Sequence, residues 1–321
     1  MTTSRARIET VIDTVEQRGD VLIFDLLPQA GTLPPWQAGA HIDLFLDDDL
    51  VRQYSLCGDP ADRARYRLGV LLEPQGRGGS RAVHDRVRPG ATLAIGAPRN
   101  LFPLDTGHRG EALLVGGGIG VTPLIAMAHT LTHANQRFTL HYVARDPVFT
   151  PLLAREGFAA QVQIHDRSQP DTPRFDPHAA IAAAIARNGG ASELCVYSCG
   201  PVGLMDAVAE AALALGLTPE QIHREAFSAL PVENGGSFEV LAAKSGVRVT
   251  VAADEPITAA LARAGVRVRV NCEQGICGTC VATVREGEPD HRDEYLTEDE
   301  RTDQIALCCS RALSPLLVVD L

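Results

Sequence analysis

Apolar positions in the first third of the chain come in short runs and not at helical spacing. "VLIFDLL", "HIDLFL" and "RYRLGVLL" are rich in branched and aromatic residues and are cut apart by Pro, Gly and Asp clusters. Short strands separated by turn residues predict an antiparallel β-barrel or sandwich over residues 1–106. The texture then changes: "EALLV" leads into "TPLIAMAHTL", "FTLHYV" follows, and "ELCVYS" leads into "PVGLMDAVAEAALAL". Strands alternating with helical segments predict an α/β domain, a parallel sheet covered by helices, over residues 107–229. "LPVENGGS", residues 230–237, combines Pro, Asn and paired Gly and reads as a linker. In the last block, residues 238–321, "FEVLAAKSG" and "VRVTVAA" predict a hairpin turning at Ser245 and Gly246. "EPITAALARAGV" predicts one short helix with Pro256 in its first turn and Gly265 as its stop.

At 321 residues the chain exceeds what a single core usually fills, in keeping with several domains. A formal net charge of −11 argues against a nucleic-acid binder, which needs a basic stripe, and is compatible with docking to a basic protein face. The start, "MTTSRARIET", lacks the apolar core of a secretory signal, so the expected compartment is the cytoplasm. The long uncharged run from Ala112 is interrupted by Gly116, Gly117, Gly118, Gly120 and Pro123, and predicts a buried strand, loop and helix in place of a membrane span. Eight cysteines in a reducing compartment point to a metal or redox role and not to four disulfides.

"VNCEQGICGTC" sets Cys272, Cys277 and Cys280 in a C-x4-C-x2-C spacing, and "IALCCSRA" supplies a further thiol at Cys308 or Cys309. This is the spacing of a plant-type [2Fe-2S] site. A loop around a small anionic cluster must turn its backbone amides toward the sulfurs, and Gly275 and Gly278 permit the conformations required. A structural zinc site would call for paired C-x2-C knuckles, and only one is present.

Four further stretches carry chemistry. "RQYSL" groups a cation, an aromatic face and a hydroxyl at Arg52, Tyr54 and Ser55. "GRGGS" forms a nest in which the amides of Gly78 and Gly79, the Ser80 hydroxyl and the Arg77 charge converge on an anion, unless it is an ordinary glycine turn. "VGGGIGVTP" follows a strand and opens a helix, so its amides face whatever lies above the sheet edge, although Val121 breaks the G-x-G-x-x-G spacing. "YSCGPVGLM" is the next strand-to-helix turn of this kind. His84, His129, His133 and His291 show no metal spacing and read as surface or packing residues.

The cysteine segment resembles a plant-type ferredoxin domain of β-grasp fold, and on that likeness Cys308 is the distant ligand. "RQYSL", "GRGGS", "VGGGIGVTP" and "YSCGPVGLM" resemble motifs of the ferredoxin reductase superfamily. The resemblance implies that Arg52, Tyr54, Ser55, Val70, Arg77, Gly78, Gly79 and Ser80 bind flavin. It gives Gly117, Gly118, Gly120, Thr122, Pro123, Cys199, Gly200 and Pro201 to the nicotinamide nucleotide, with Ser55, Thr122 and Cys199 nearest the reacting atoms. Arg145 in "YVARD" would touch the adenosine half, and Phe227 in "REAF" would close over the flavin. The order of flavin barrel, nicotinamide domain, linker and C-terminal ferredoxin is similar to that of the phthalate dioxygenase reductase family. Membership implies FMN, NADH, a [2Fe-2S] cluster and a terminal Rieske-type oxygenase as electron acceptor. Nicotinamide delivers two electrons as hydride and the cluster takes one, so a flavin between them matches the count. A free-standing NADH oxidase or ferric reductase, or a cluster-based redox sensor, are the other readings.

Overall fold

The computed structural model describes residues 7–47, 50–76, 78–108, 110–169, 173–227, 236–270, 273, 275–293 and 295–321. Arg77, Cys272 and most of the expected linker lie outside the described residues. The chain divides into two compact units, Met1–Asp48 with Gln53–Ala226, and Asp49–Arg52 with Phe227–Leu321.

The first half of the larger unit, taken with Val51 and Arg52 at the start of β4, contains β1 (Ile8–Arg18), β2 (Val21–Pro28), β3 (Ala40–Phe45), β4 (Val51–Ser55), β5 (Tyr66–Leu71), helix α1 (Gly79–Arg86), β6 (Thr92–Ile95) and β7 (Arg99–Asn100). The strands are ordered β4-β3-β6-β1-β2-β5, with β7 beside β3. Two consecutive amides just past β4 join the ends of this sheet. Leu56 N–H donates to the Ala40 carbonyl and Cys57 N–H to the Arg67 carbonyl, each at 2.9 Å. With the Leu56–Leu68 bridge, this closes the sheet into a barrel and removes an open edge. Phe24, Leu26, Ile42, Leu44, Leu68 and Ile95 fill its interior.

The second half contains β8 (Glu111–Gly117), α2 (Val121–His133), β9 (Phe138–Ala144), α3 (Thr150–Leu153), β10 (Val162–Asp166), α4 (Pro177–Asn188), β11 (Leu194–Cys199), α5 (Val202–Ala214) and β12 (Ile222–Glu225). The order β10-β9-β8-β11-β12 is parallel throughout. Every residue of β8 and β11 is buried, as expected of central strands covered on both faces.

The smaller unit carries β13 (Phe238–Ala242), β14 (Val247–Val251), α6 (Ile257–Arg263), β15 (Val281–Glu286), β16 (Pro289–Asp290), α7 (Glu298–Arg301), β17 (Gln304–Ala306), β18 (Arg311–Ala312) and β19 (Leu316–Val319). Its mixed sheet runs β14-β13-β19-β15-β17, with β13 and β19 parallel. Ile257, Ala260 and Leu261 of α6 pack on its core. Gly246 turns the β13–β14 hairpin at φ +68° and Gly265 ends α6 at φ +86°. No helix among the described residues is long and apolar enough to cross a membrane.

Candidate cofactor sites

Strand order in the parallel sheet reverses between β8 and β11, and ligands of such sheets bind beyond the carboxyl ends of the strands at that point. The two turns that leave these strands are packed backbone to backbone. A Cβ on Gly120 would stand 2.4 Å from the Cys199 carbonyl oxygen, and one on Gly200 would stand 2.8 Å from the Gly117 Cα. A Cβ on Gly117 would meet the Pro201 ring at 2.6 Å. Only glycine lets the turns interlock, with Gly200 at φ +144°.

Gly118–Gly120 forms one turn of 3-10 helix before α2 begins. The Thr122 hydroxyl donates to the Ile119 carbonyl at 2.9 Å, which fixes its orientation in the first turn of α2. Pro123 follows, also buried. Cys199 is fully buried, and burial, followed by the nearby Glu225 carboxylate, pushes its thiol well above the ordinary range. It is therefore a neutral group at neutral pH. Arg145 lies exposed one residue past β9, which pairs with β8.

The barrel reaches the same region through β5. A Cβ on Gly69 would lie 2.7 Å from the Phe149 ring and 3.2 Å from Thr122 Cγ2, so a glycine here allows close approach of strand and turn. The next residue, Val70, is sealed from solvent. Its carbonyl lies 3.0 Å from His84 Nε2 on α1.

"GRGGS" is more than a glycine turn: it opens helix α1. Gly78 caps the helix at φ +81°, and no side chain among the described residues caps the first amides. Such an end, with amides aligned along the helix axis, favours an anion. Glu73 N–H donates to Ser80 Oγ at 3.0 Å, so this hydroxyl ties down the preceding loop and keeps its own proton for another acceptor. On β4, Arg52 and Tyr54 are half-buried and Ser55 is buried. Arg52 Nη1 donates to the Val51 carbonyl at 2.9 Å.

In the smaller unit the loop between α6 and β15 meets the segment after β17. Cys277, Cys280, Cys308 and Cys309 are all buried. Glu273, Gly275 and Gly278 adopt positive φ of 52°, 71° and 64°. The Gly275 amide donates to Cys308 Sγ at 3.3 Å, and the thiol of Cys277 lies 3.2 Å from Thr279 Oγ1. A Cβ on Gly278 would lie 2.1 Å from the Tyr295 ring. Hydrogen bonding to Cys308, added to burial, pushes the Cys280 thiol up. Protonated thiols crowded together, with an amide aimed at sulfur, are the donor set a cluster would deprotonate and bind, so the residues fit an iron–sulfur group.

Residues 241–313, which span this loop and its distant thiols, match the 2Fe-2S iron-sulfur cluster binding domain family. A vanillate O-demethylase oxidoreductase of Pseudomonas sp. is 44% identical over 298 residues, covering 91% of this chain and 92% of that protein. Its counterpart in Pseudomonas putida is 42% identical over 319 residues, covering 97% and 98%. A solved structure described as "phthalate dioxygenase reductase: a modular structure for electron transfer from pyridine nucleotides to [2Fe-2S]" matches with TM-score 0.69 at 35% identity, covering 98% of each chain. The chain belongs to the phthalate dioxygenase reductase family.

Within this phthalate dioxygenase reductase-like chain, the structure gathers Gly117, Gly118, Gly120, Thr122, Pro123, Cys199, Gly200 and Pro201 at one sheet edge. Gly69 and Phe149 belong to the same cluster and were not signalled by any motif, because their juxtaposition is tertiary. Phe227, in the smaller unit, is 38% exposed. His129 and His133 have carboxylate partners: His133 Nε2 lies 2.8 Å from Asp59 Oδ2, and His129 Nε2 lies 3.6 Å from Glu156 Oε2.

Proposed function

We propose that the chain is the NADH-dependent reductase component of an oxygenase system, passing electrons through FMN to its [2Fe-2S] cluster and singly to a terminal Rieske-type oxygenase. The observation that carries this reading is the interlocked pair of glycine turns at the switch point of the parallel sheet, in the same chain as the cysteine loop. When bound, the flavin supplies a carrier that takes two electrons from hydride and gives them up one at a time.

In this reading Arg52, Tyr54 and Ser55 hold the flavin, and the α1 end at Gly78, Gly79 and Ser80, together with Arg77, takes its phosphate. Gly117, Gly118 and Gly120 let backbone approach the pyrophosphate of the nucleotide without Cβ obstruction. Thr122, its hydroxyl held by the Ile119 carbonyl, keeps a fixed lone pair at the turn. Cys199 presents an uncharged thiol to the nucleotide. Arg145 serves the adenosine half and Phe227 the outer flavin face. Cys272, Cys277, Cys280 and Cys308 hold the cluster. The corresponding domains are residues 1–106, 107–229 and 238–321, joined by a linker at 230–237. A chain built around cysteine ligands suits the reducing cytoplasm.

An anaerobic NADH titration, followed by visible absorbance and EPR with the flavin identified by chromatography, tests the reading. Flavin bleaching with the signal of a reduced [2Fe-2S] centre is expected. Zinc in place of iron, with no cluster signal, overturns it. Arg52→Ala should release flavin; full occupancy in that variant removes Arg52 from the site.

A further inference from the structure

The smaller unit is acidic, yet its unused positive charge is concentrated at one place. Between residues 238 and 321 there are nine Lys and Arg against fourteen Asp and Glu. Lys244 and Arg285 share Asp320, Arg248 takes Glu239, and Arg263 takes Glu255. Arg292 pairs with Asp290 and Arg301 with Glu298. Arg311 is buried, with its guanidinium donating to the carbonyls of Gly236, Ala252 and Glu255. Arg267 and Arg269 remain, and neither makes an ion pair or side-chain hydrogen bond among the described residues.

Their position follows from the sequence "GVRVRV". Val266 and Val268 pack against the domain core, so the residues between and after them turn outward, and Arg267, Arg269 and Val270 are exposed. Val270 is 39% exposed, an apolar neighbour beside two guanidiniums. Arginine next to an apolar contact is the composition of a protein interface, where lysine and carboxylates are depleted. Arg269 stands three positions before Cys272, at the entry to the cysteine loop.

We propose that Arg267 and Arg269 form the contact by which this unit engages a carboxylate-bearing face of its electron acceptor. The proposal rests on the reductase reading, because an acceptor must come to the cluster loop. At distance, the chain's net charge of −11 repels an acidic protein. Within a screening length of about 10 Å at ordinary salt, two guanidiniums without an ion pair among the described residues favour an acidic partner at this edge, while the net charge disfavours it elsewhere.

The test uses holoprotein reduced with dithionite and two protein acceptors of opposite rim charge, ferricytochrome b5 with carboxylates around its haem edge and ferricytochrome c with lysines. Second-order rate constants are measured by stopped flow against ionic strength. For the native chain the cytochrome b5 rate should fall as salt rises. The R267E/R269E double variant, with cluster absorbance confirmed, should lose about tenfold of that rate at low salt and keep or gain rate with cytochrome c. A native cytochrome b5 rate that climbs with salt, as net charge alone dictates, overturns the proposal even if no variant can be prepared. So does a double variant with an unchanged salt slope. If NADH fails to reduce the cluster while dithionite-reduced protein still prefers cytochrome b5, the reductase reading fails and the docking edge stands.

Discussion

Gly120 and Cys199 are locked together through their backbones: a Cβ on the glycine would stand 2.4 Å from the Cys199 carbonyl oxygen and 2.6 Å from the Gly200 nitrogen. Neither obstacle is the end of a flexible side chain, so a rotamer change cannot relieve it. Gly120→Ala should therefore push apart the two turns proposed to face the nucleotide. We expect a loss of about 1–3 kcal/mol in stability, typical of overpacking, and a raised KM for NADH with flavin content retained. Urea unfolding and an NADH titration check this; an unchanged midpoint and KM would show that the turns do not constrain each other.

A second glycine bears on the cluster loop. Gly278 sits at φ +64° with the Tyr295 ring where a Cβ would go. Gly278→Ala meets both a left-handed backbone penalty of about 1–2 kcal/mol and a clash with an aromatic ring. Iron bound per chain should drop. Adding Tyr295→Ala should restore part of it, since the clash is removed and the backbone penalty stays. No recovery in the double variant would mean that the conformation alone decides loading.

Acid stability of the barrel should depend on Asp25. This carboxylate is 1% exposed and receives a bidentate pair from Arg67, Nε to Oδ1 at 2.8 Å and Nη2 to Oδ2 at 2.9 Å. Burial by itself raises the pKa, but the Arg67 hydrogen bonds and charge outweigh it and hold the group below the usual carboxylate value. A depressed folded pKa stabilises the protein above the unfolded value of about 3.9 and loses that contribution as pH falls through the folded one. Asp25→Asn should cost about 2 kcal/mol at neutral pH and flatten the decline in Tm below about pH 4. The strand affected also holds the closure, because the Arg67 carbonyl accepts the Cys57 amide. Equal acid limbs in both proteins would assign acid unfolding to other carboxylates, Glu111 among them.

Much of this architecture can be read before folding, for reasons tied to particular segments. The continuous apolar runs of β8 and β11, the Gly246 turn and the Gly265 stop each announce themselves locally. Helix α1 does not: only Gly79 and Val83 of its eight residues are buried, so no apolar stripe marks "GSRAVHDR" as helical. Helix α4 is hidden for another reason, its alanine methyls giving little contrast between faces. At the sites, cysteine spacing and glycine turns are legible because backbone chemistry demands those residues at those positions. The Gly69–Phe149 approach and the Asp59–His133 pair are not, since each joins residues more than seventy positions apart.

The adjacent thiols after β17 separate by what their surroundings offer. Cys308 Sγ accepts the Gly275 amide at 3.3 Å, from the loop that also carries Cys277 and Cys280, the arrangement expected of a sulfur that carries negative charge when ligated. Cys309 Sγ is instead packed where a Gly275 Cβ would lie, 2.5 Å away, and stands 3.8 Å from both the Ala306 carbonyl and the Ser310 hydroxyl. Hydrogen bonding to the neighbouring Cys308, then burial, pushes its thiol up, against a smaller opposing effect of the Ser310 hydroxyl. Cys309→Ser should keep the cluster, because a hydroxyl satisfies the same two oxygen partners at the cost of slightly looser packing. Cys308→Ser should lose most of the iron or shift the visible and EPR spectra toward those of an oxygen-ligated site. Iron content and low-temperature EPR of the two variants decide between them, and a cluster that survives in Cys308→Ser but not in Cys309→Ser would transfer the fourth position to Cys309.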